Sequence, residues 1–227
     1  MNDTCRIVVL ISGSGSNLQA IIDAVQAGHI RGNIIAVISN RPAVKGLQRA
    51  ASADIQTITI DHRQFESRSD FDTELDKQLA ALAPDLIVLA GFMRILPAPL
   101  VTRYQGKMLN IHPSLLPRHR GLHTHRRALE AGDKEHGASV HFVTPELDGG
   151  PVIIQARLPV QAHHTADSLA ADVLTFEHQI YPLAVSYYCD GRLSLDGDRI
   201  RFDGRHIDQP LRFPTDIPAS DLQHFQS

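Results

Sequence analysis

Short apolar segments alternate with amphipathic ones along the first half of the chain. The apolar segments are rich in β-branched residues and are typical of buried strands, at residues 5–11, 33–39, 56–60, 85–90 and 107–111. Between them, apolar residues recur at helical spacing, at residues 17–27, 45–53 and 71–83. Wholly apolar strands that alternate with helices indicate a parallel sheet covered on both faces. The pattern therefore predicts an α/β fold: a doubly wound, Rossmann-like, mostly parallel sheet with helices on both faces. Its functional loops should follow the carboxyl ends of the strands.

The second half of the chain has a different pattern. Two extended runs, residues 138–144 and 152–160, flank a connector rich in turn residues. They predict an antiparallel pair that extends the parallel sheet. A long helix is predicted over residues 165–189, and Pro182 is expected to kink or interrupt it because proline lacks the backbone N–H that a helix needs.

The chain has 227 residues, which favours one large domain at a typical size of ~150 residues per domain. Residues 192–195 and 199–203 resemble the two strands of a hairpin, and the sequence beyond them has little periodicity. We therefore expect a single domain over residues 1–190, followed by a short hairpin and an irregular C-terminal tail over residues 191–227.

Charge and cysteine content narrow the class of protein. There are 22 Lys and Arg against 25 Asp and Glu, a formal charge of −3, which argues against a nucleic-acid partner. The two cysteines, Cys5 and Cys189, are far apart in sequence and have no CxxC spacing. They argue against a disulfide framework and a cysteine zinc site, and they suit the reducing cytosol. The apolar run at residues 7–11 is too short for a membrane span or signal peptide, so we expect a soluble cytoplasmic protein with no membrane partner.

A glycine-rich turn lies between the first predicted strand and the first predicted helix. Its sequence is Ser-Gly-Ser-Gly-Ser-Asn over residues 12–17. Glycines allow a tight turn, and unpaired amides at a helix start attract anions, most often phosphate. The turn is neither a GxGxxG fingerprint nor a Walker loop. The alternative is an ordinary strand-to-helix turn.

Asn110 and His112 lie at the end of the fifth predicted strand. Alternate residues of a strand point to the same side, so the amide and the imidazole should project together. Both groups donate hydrogen bonds and could stabilise a developing oxyanion. The alternative is a histidine that caps the strand end, with the asparagine in a turn.

Asp148 opens the Asp-Gly-Gly sequence between the two late strands. It could serve only a turn, or it could face His112 and favour the charged imidazolium. Five other histidines could suggest a metal site: His119, His123, His125, His163 and His164. They lack the spacing of zinc ligands, so we expect no metal.

Taken in order, these segments resemble the folate-dependent phosphoribosylglycinamide formyltransferase family. The segments that carry the resemblance are VVLISGSGSNLQAIIDA (8–24), LAGFMRIL (89–96), LNIHPSLLP (109–117), GLHTHRRALEAGDKEHGASVHFV (121–143) and ELDGGPVIIQA (146–156). The resemblance covers most of residues 5–190. It implies transfer of the formyl group of 10-formyltetrahydrofolate, a co-substrate, to the amine of 5-phosphoribosylglycinamide in purine (IMP) biosynthesis.

The resemblance also implies a role for individual residues. The residues implied to bind the glycinamide ribonucleotide are Gly15, Ser16, Asn17 and Glu177. The residues implied to bind the folate are Arg68, Met93, Arg94, Ile95, Leu96 and Asn110. Asn110 and His112 would stabilise the oxyanion, His112 would donate the proton, and Asp148 would hold the imidazole in its charged form.

Some alternatives within and beyond this resemblance stay open. A formyltetrahydrofolate hydrolase usually has an additional N-terminal domain, whereas here the first predicted strand begins at residue 5. A formyltransferase acting on methionyl-tRNA usually has a further nucleic-acid-binding domain and a basic surface. Another folate-dependent formyltransferase would act on a different acceptor. A non-catalytic binding module would bind the ligands without turnover. For the chain itself we expect small-molecule substrates and a monomer or weak homodimer.

Overall fold

A mixed eight-stranded sheet forms the centre of the molecule in a computed structural model that describes residues 4–225. Its strands are β1 (Cys5–Ile11), β2 (Gly32–Ser39), β3 (Thr57–Thr59), β4 (Leu86–Leu89), β5 (Met108–His112), β6 (Glu135–Phe142), β7 (Val152–Pro159) and β11 (Leu211–Phe213). Their order is β11-β7-β6-β5-β4-β1-β2-β3. The strands β8 (Leu193–Asp196), β9 (Arg199–Phe202) and β10 (Arg205–Ile207) form a separate three-stranded sheet. Strands β1 to β5 pair in parallel, whereas β6 is antiparallel to both β5 and β7. The predicted parallel sheet with an antiparallel extension is confirmed.

Helices cover both faces of the sheet. They are α1 (Ser16–Gln26), α2 (Lys45–Ser52), α3 (Arg68–Leu82), α4 (Ala98–Arg103), α5 (Thr124–Glu130), α6 (Ala166–Cys189) and α7 (Ala219–Phe225). Side chains of α1, α2 and α6 pack with Ile7, Val9 and Ile11 of β1, whereas side chains of α3 and α4 pack with Val8 and Leu10. Alternate residues of β1 therefore enter two separate cores, which explains why the strand is apolar from Ile7 to Ile11.

The long predicted helix is present as α6 and runs through Pro182 without interruption. Pro182 is buried, and the hydroxyl of the preceding Tyr181 lies 3.0 Å from the carbonyl oxygen of Leu89 and 2.9 Å from that of Leu109. These contacts tie α6 to β4 and β5. Among the helices of residues 4–225, none combines the length and the apolar character needed to cross a bilayer.

The region after residue 190 differs from the irregular tail that we expected. The predicted hairpin is present as β8 (Leu193–Asp196) and β9 (Arg199–Phe202), and β10 (Arg205–Ile207) extends it to three strands. Beyond it, β11 adds a parallel edge strand to β7, and α7 packs on α6. These elements are only three to seven residues long. They are too short for a periodic pattern and are stabilised by their partners, which the sequence does not specify. Residues 1–3 of the expected domain and 226–227 of the expected tail lie outside the described residues.

The loops after β1 and β4 lie side by side because these two strands are neighbours in the sheet. The chain leaves β1 for a helix on one face and β4 for a helix on the other, which makes this position a topological switch point, where ligands bind in such folds. The Ser12 hydroxyl joins the loops: it accepts from Met93 N–H at 2.8 Å and donates to Asn40 Oδ1 at 2.5 Å.

Candidate active site

The turn from β1 into α1 requires glycine at residue 15. Gly15 has φ +68°, and a Cβ there would lie 2.6 Å from the Cα of Gly46. Helix α1 begins at Ser16 without a side-chain cap, so its first amides remain free to bind a ligand. Arg49 lies next to this turn and donates to the carbonyl of Ser14 at 3.0 Å. Free amides, the positive end of the helix dipole and a nearby guanidinium together suit a phosphate.

Asn17 and Glu177 meet next to this turn, although 160 residues separate them. Asn17 Nδ2 donates to Glu177 Oε2 at 2.7 Å, and both side chains are buried. Burial raises the pKa of the Glu177 carboxyl. Asn17 Oδ1 has no hydrogen-bond partner among residues 4–225. A buried acceptor without a partner is costly, so this oxygen is poised to receive an N–H or O–H from a ligand.

The imidazole of His112, the last residue of β5, is fixed by contacts at both ring nitrogens. Nε2 lies 3.0 Å from the carbonyl oxygen of His119, so Nε2 must be the donor. Nδ1 lies 3.5 Å from Asp148 Oδ2, and both side chains are only 8% exposed. Nδ1 therefore lies on the side of the ring that faces the Asp148 carboxylate.

Asp148 is held in place by the connector between β6 and β7. It has φ +48°, and its Oδ2 accepts from the Gly121 N–H at 2.8 Å. A Cβ on Gly150 would lie 1.8 Å from the carbonyl oxygen of Phe142, so only glycine fits there. The Asp-Gly-Gly sequence therefore forms a tight turn, and the turn also places a carboxylate against His112.

His141 is a member of this site that sequence reasoning did not identify. It is directly opposite Asn110 in the β5–β6 pair, and Asn110 Nδ2 lies 3.0 Å from its Nε2. Its Nδ1 lies 2.8 Å from the carbonyl oxygen of Phe142 and must donate, which leaves Nε2 to accept from Asn110. Burial lowers the pKa of His141 to about 4, so the ring is neutral at pH 7. This neutral acceptor orients the Asn110 amide and leaves its second N–H free for a ligand.

His119, whose carbonyl oxygen accepts a hydrogen bond from His112, is held in place by Asp133. His119 has φ +53°, and its Nε2 lies 2.7 Å from Asp133 Oδ2. This hydrogen bond fixes the backbone whose carbonyl oxygen receives the His112 Nε2–H. His119 was considered in the sequence only as a metal ligand. Within residues 4–225, no three His, Cys, Asp or Glu side chains are grouped to hold a metal ion.

The remaining candidates lie in the loop after β4 and at the start of α3: Arg68, Met93, Arg94, Ile95 and Leu96. The Arg68 guanidinium donates to the carbonyl of Ile95, and that of Arg94 lies 4.1 Å from the centre of the Phe71 ring. Met93 and Ile95 are 58% and 51% exposed, unusually high values for large apolar side chains. Leu96, by contrast, is buried in the core formed with α3. The loop thus exposes an apolar surface, and the contact with Arg68 and the burial of Leu96 hold the loop in place.

This arrangement, with a turn suited to an anion, the group of Asn110, His112 and Asp148, and an exposed apolar loop on one sheet, suits a group-transfer enzyme. The sequence pattern of the family described as "Formyl transferase" matches residues 5–185, and the chain belongs to that family. It is 55% identical over 202 residues to the phosphoribosylglycinamide formyltransferase of Escherichia coli K12, with 89% of this chain and 95% of that protein covered. The corresponding protein of Haemophilus influenzae is 45% identical, with the same shares covered.

Solved structures give the same result. The structure of the phosphoribosylglycinamide formyltransferase from Coxiella burnetii in complex with CHES has a TM-score of 0.89 and 50% identity, covering 93% of this chain and 100% of that one. The glycinamide ribonucleotide transformylase 1 of Symbiobacterium toebii has a TM-score of 0.84 and 45% identity, covering 88% of this chain and 94% of that one.

Proposed function

We propose that the chain transfers the formyl group of 10-formyltetrahydrofolate to the amine of 5-phosphoribosylglycinamide. The products are N-formylglycinamide ribonucleotide and tetrahydrofolate, and the reaction belongs to de novo purine (IMP) biosynthesis. The observation that carries the proposal is the pairing of His112 with Asp148 at 3.5 Å, with Asn110 joined to this pair through His141, in a chain that belongs to the formyl transferase family. The names of its relatives support the choice of acceptor.

The acceptor nucleotide binds at the start of α1. The backbone amides of Gly15, Ser16 and Asn17 bind its 5′-phosphate, helped by the helix dipole. Glu177 and Asn17 bind the glycinamide end. The free Asn17 Oδ1 supports this assignment, because a glycinamide N–H supplies the donor that this oxygen lacks.

The folate binds against the loop after β4. Met93, Ile95 and the backbone around Leu96 cover its flat ring systems, and the exposure of the first two side chains supports this role. Arg68 and Arg94 supply positive charge for the carboxylates of the folate. Asn110 contacts the formyl group: it lies on β5, next to β4, and its side chain shares a side of the strand with His112.

The chemistry follows from this placement. The acceptor amine attacks the formyl carbon, and the carbonyl oxygen becomes an oxyanion. The free N–H of Asn110 and the Nδ1–H of charged His112 stabilise that oxyanion; one such donor is worth about 3–4 kcal/mol in other enzymes. The amine then loses a proton, N10 of the folate gains one, and the C–N10 bond breaks. Asp148 keeps His112 charged until its proton is needed.

The proposal extends to the setting of the reaction. The folate is a co-substrate, and the reaction uses no metal. The enzyme works in the cytoplasm as a monomer or weak homodimer on small-molecule substrates, with no nucleic acid or membrane partner.

A spectrophotometric assay tests the proposal. The purified chain is mixed with 10-formyl-5,8-dideazafolate, with and without glycinamide ribonucleotide, and a parallel set contains a chelator. We expect deformylation that depends on the nucleotide and is insensitive to the chelator. Deformylation without the nucleotide would identify a hydrolase, and activity lost with the chelator would contradict a metal-free reaction. If the folate analogue stays unchanged in every arm, the acceptor assignment is wrong.

A further inference from the structure

The only two cysteines of the chain lie next to each other, although 184 residues separate them in sequence. Cys5 is the first residue of β1 and is buried, and Cys189 is the last residue of α6 and is partly exposed. Both side chains belong to the core on the α6 side of the sheet. The sequence separation that argued against a disulfide framework therefore does not keep the two thiols apart.

The position of Gly32 locates the Cys189 sulfur relative to the start of β1. Gly32 pairs with Cys5 across β1 and β2, so side chains at these positions would point to the same face. A Cβ on Gly32 would lie 3.2 Å from Cys189 Sγ. The sulfur of Cys189 thus lies against Gly32, on the face of the sheet that carries the side chain of Cys5. Because neighbouring strands are about 4.8 Å apart, the Cys189 sulfur is a near neighbour of the Cys5 side chain.

The environment distinguishes the two thiols. A hydrogen bond from Cys189 lowers the pKa of Cys5, although burial and the carboxylates of Asp85 and Asp190 oppose this effect. The same hydrogen bond, together with burial, raises the pKa of Cys189. The hydrogen bond therefore favours the thiolate at Cys5, and the thiolate is the form that reacts with oxidants. Cys189 donates the hydrogen bond to Cys5, and its side chain is partly exposed to solvent.

We propose that Cys5 and Cys189 form a site of reversible oxidation, at which a peroxide closes a disulfide between the start of β1 and the end of α6. The Cys5 thiolate attacks one peroxide oxygen, the O–O bond breaks, and the leaving hydroxide takes up a proton as water. Cys189 then attacks the Cys5 sulfenic acid, and the S–S bond forms as its hydroxyl leaves as a second water. The two thiols lose two electrons, which the peroxide receives. A dithiol reductant reverses the change.

The location of the pair indicates what the disulfide would change. Cys5 is at the amino end of β1, about 20 Å along the strand from the loops that form the candidate active site. The bond would close residues 5–189 into one covalent loop, and closing so long a loop restricts the unfolded chain strongly. Oxidation should therefore stabilise the fold, and the site residues should keep their positions.

The test uses the full chain treated with hydrogen peroxide and then digested without reduction. We expect the intact mass to fall by the two hydrogens of one disulfide, a cross-linked peptide pair containing Cys5 and Cys189, and a melting temperature raised by more than about 5 °C. Dithiothreitol should restore the mass and the melting temperature. Formyl transfer, if the chain performs it, should keep its rate within about twofold in both forms.

Single variants provide matched controls. Cys5→Ser and Cys189→Ser should each lose the peptide pair and the stabilisation, and Cys189→Ala serves if the serine at this site impairs folding. Oxygen additions on separate cysteines, cross-links between two chains, or unchanged thiols in the folded wild type would each overturn the proposal.

Discussion

The contact between Asp148 and His112 supports a quantitative prediction. We consider Asp148→Asn, which keeps the size of the side chain and an oxygen that can accept from Gly121 N–H. Two unit charges 3.5 Å apart attract by about 5 kcal/mol at an effective dielectric of ~20. The carboxamide dipole retains part of this attraction. We therefore expect the barrier to rise by about 3–4 kcal/mol, which lowers kcat about 100- to 1,000-fold.

Steady-state formyl transfer at several pH values measures this effect. KM for both substrates should change little, because Asp148 acts on the charge that develops during the reaction. Asp198→Asn, in the exposed β8–β9 turn, makes the same chemical change and should leave kcat unaltered. A variant whose kcat stays within about threefold of the wild type at pH 7.5 would refute the role of this contact.

Three further predictions concern the neighbours of the site. The pKa of His141 is about 4 in the folded protein and about 6.5 in the unfolded chain. Between these two pH values the unfolded state binds more protons, so the free energy of unfolding falls as the pH drops from 6.5 to 4. Denaturant unfolding should therefore show that His141→Gln loses about 2 kcal/mol less than the wild type between pH 7 and pH 5; an equal loss would contradict a neutral buried ring. Asp133→Asn weakens the anchor of His119, and kcat should fall about 3- to 10-fold with KM unchanged, whereas a change confined to KM would place this pair outside the chemistry. Gly15→Ala puts a Cβ 2.6 Å from the Cα of Gly46, at a residue with φ +68°. The KM for the nucleotide should therefore rise at least tenfold, with little change in the KM for the folate. Equal effects on both KM values would argue against a phosphate-binding turn.

The parts of the fold that could be predicted from sequence carry their own local signal. Strand β1 is apolar at every buried position because both of its faces are covered, and this pattern is visible without the structure. The same holds for α6, which is long enough to be recognised despite Pro182. By contrast, β11 has three residues and exists because it pairs with β7. Such an element has no pattern of its own.

The residues of the candidate site fall into the same two groups: those that a local sequence pattern indicates and those that only the fold brings together. Asn110 and His112 could be predicted together because alternate strand residues share a side, and Asp148 stood out through its glycines. His141 could not, since its contact with Asn110 depends on the register between two antiparallel strands. The proximity of Cys5 and Cys189 likewise results from the path of the whole chain. Contacts made across the fold are the information that the sequence pattern lacks.

The most direct test of the proposed reaction follows the formyl carbon itself. The chain is incubated with 10-formyltetrahydrofolate labelled with ¹³C in the formyl group and with glycinamide ribonucleotide, and the products are analysed by mass spectrometry and NMR. We predict that the label appears as a formamide on the nucleotide, in equal amount to the tetrahydrofolate formed, and that His112→Ala slows its appearance by orders of magnitude. Label recovered as formate, at a rate independent of the nucleotide, would contradict the proposed transfer.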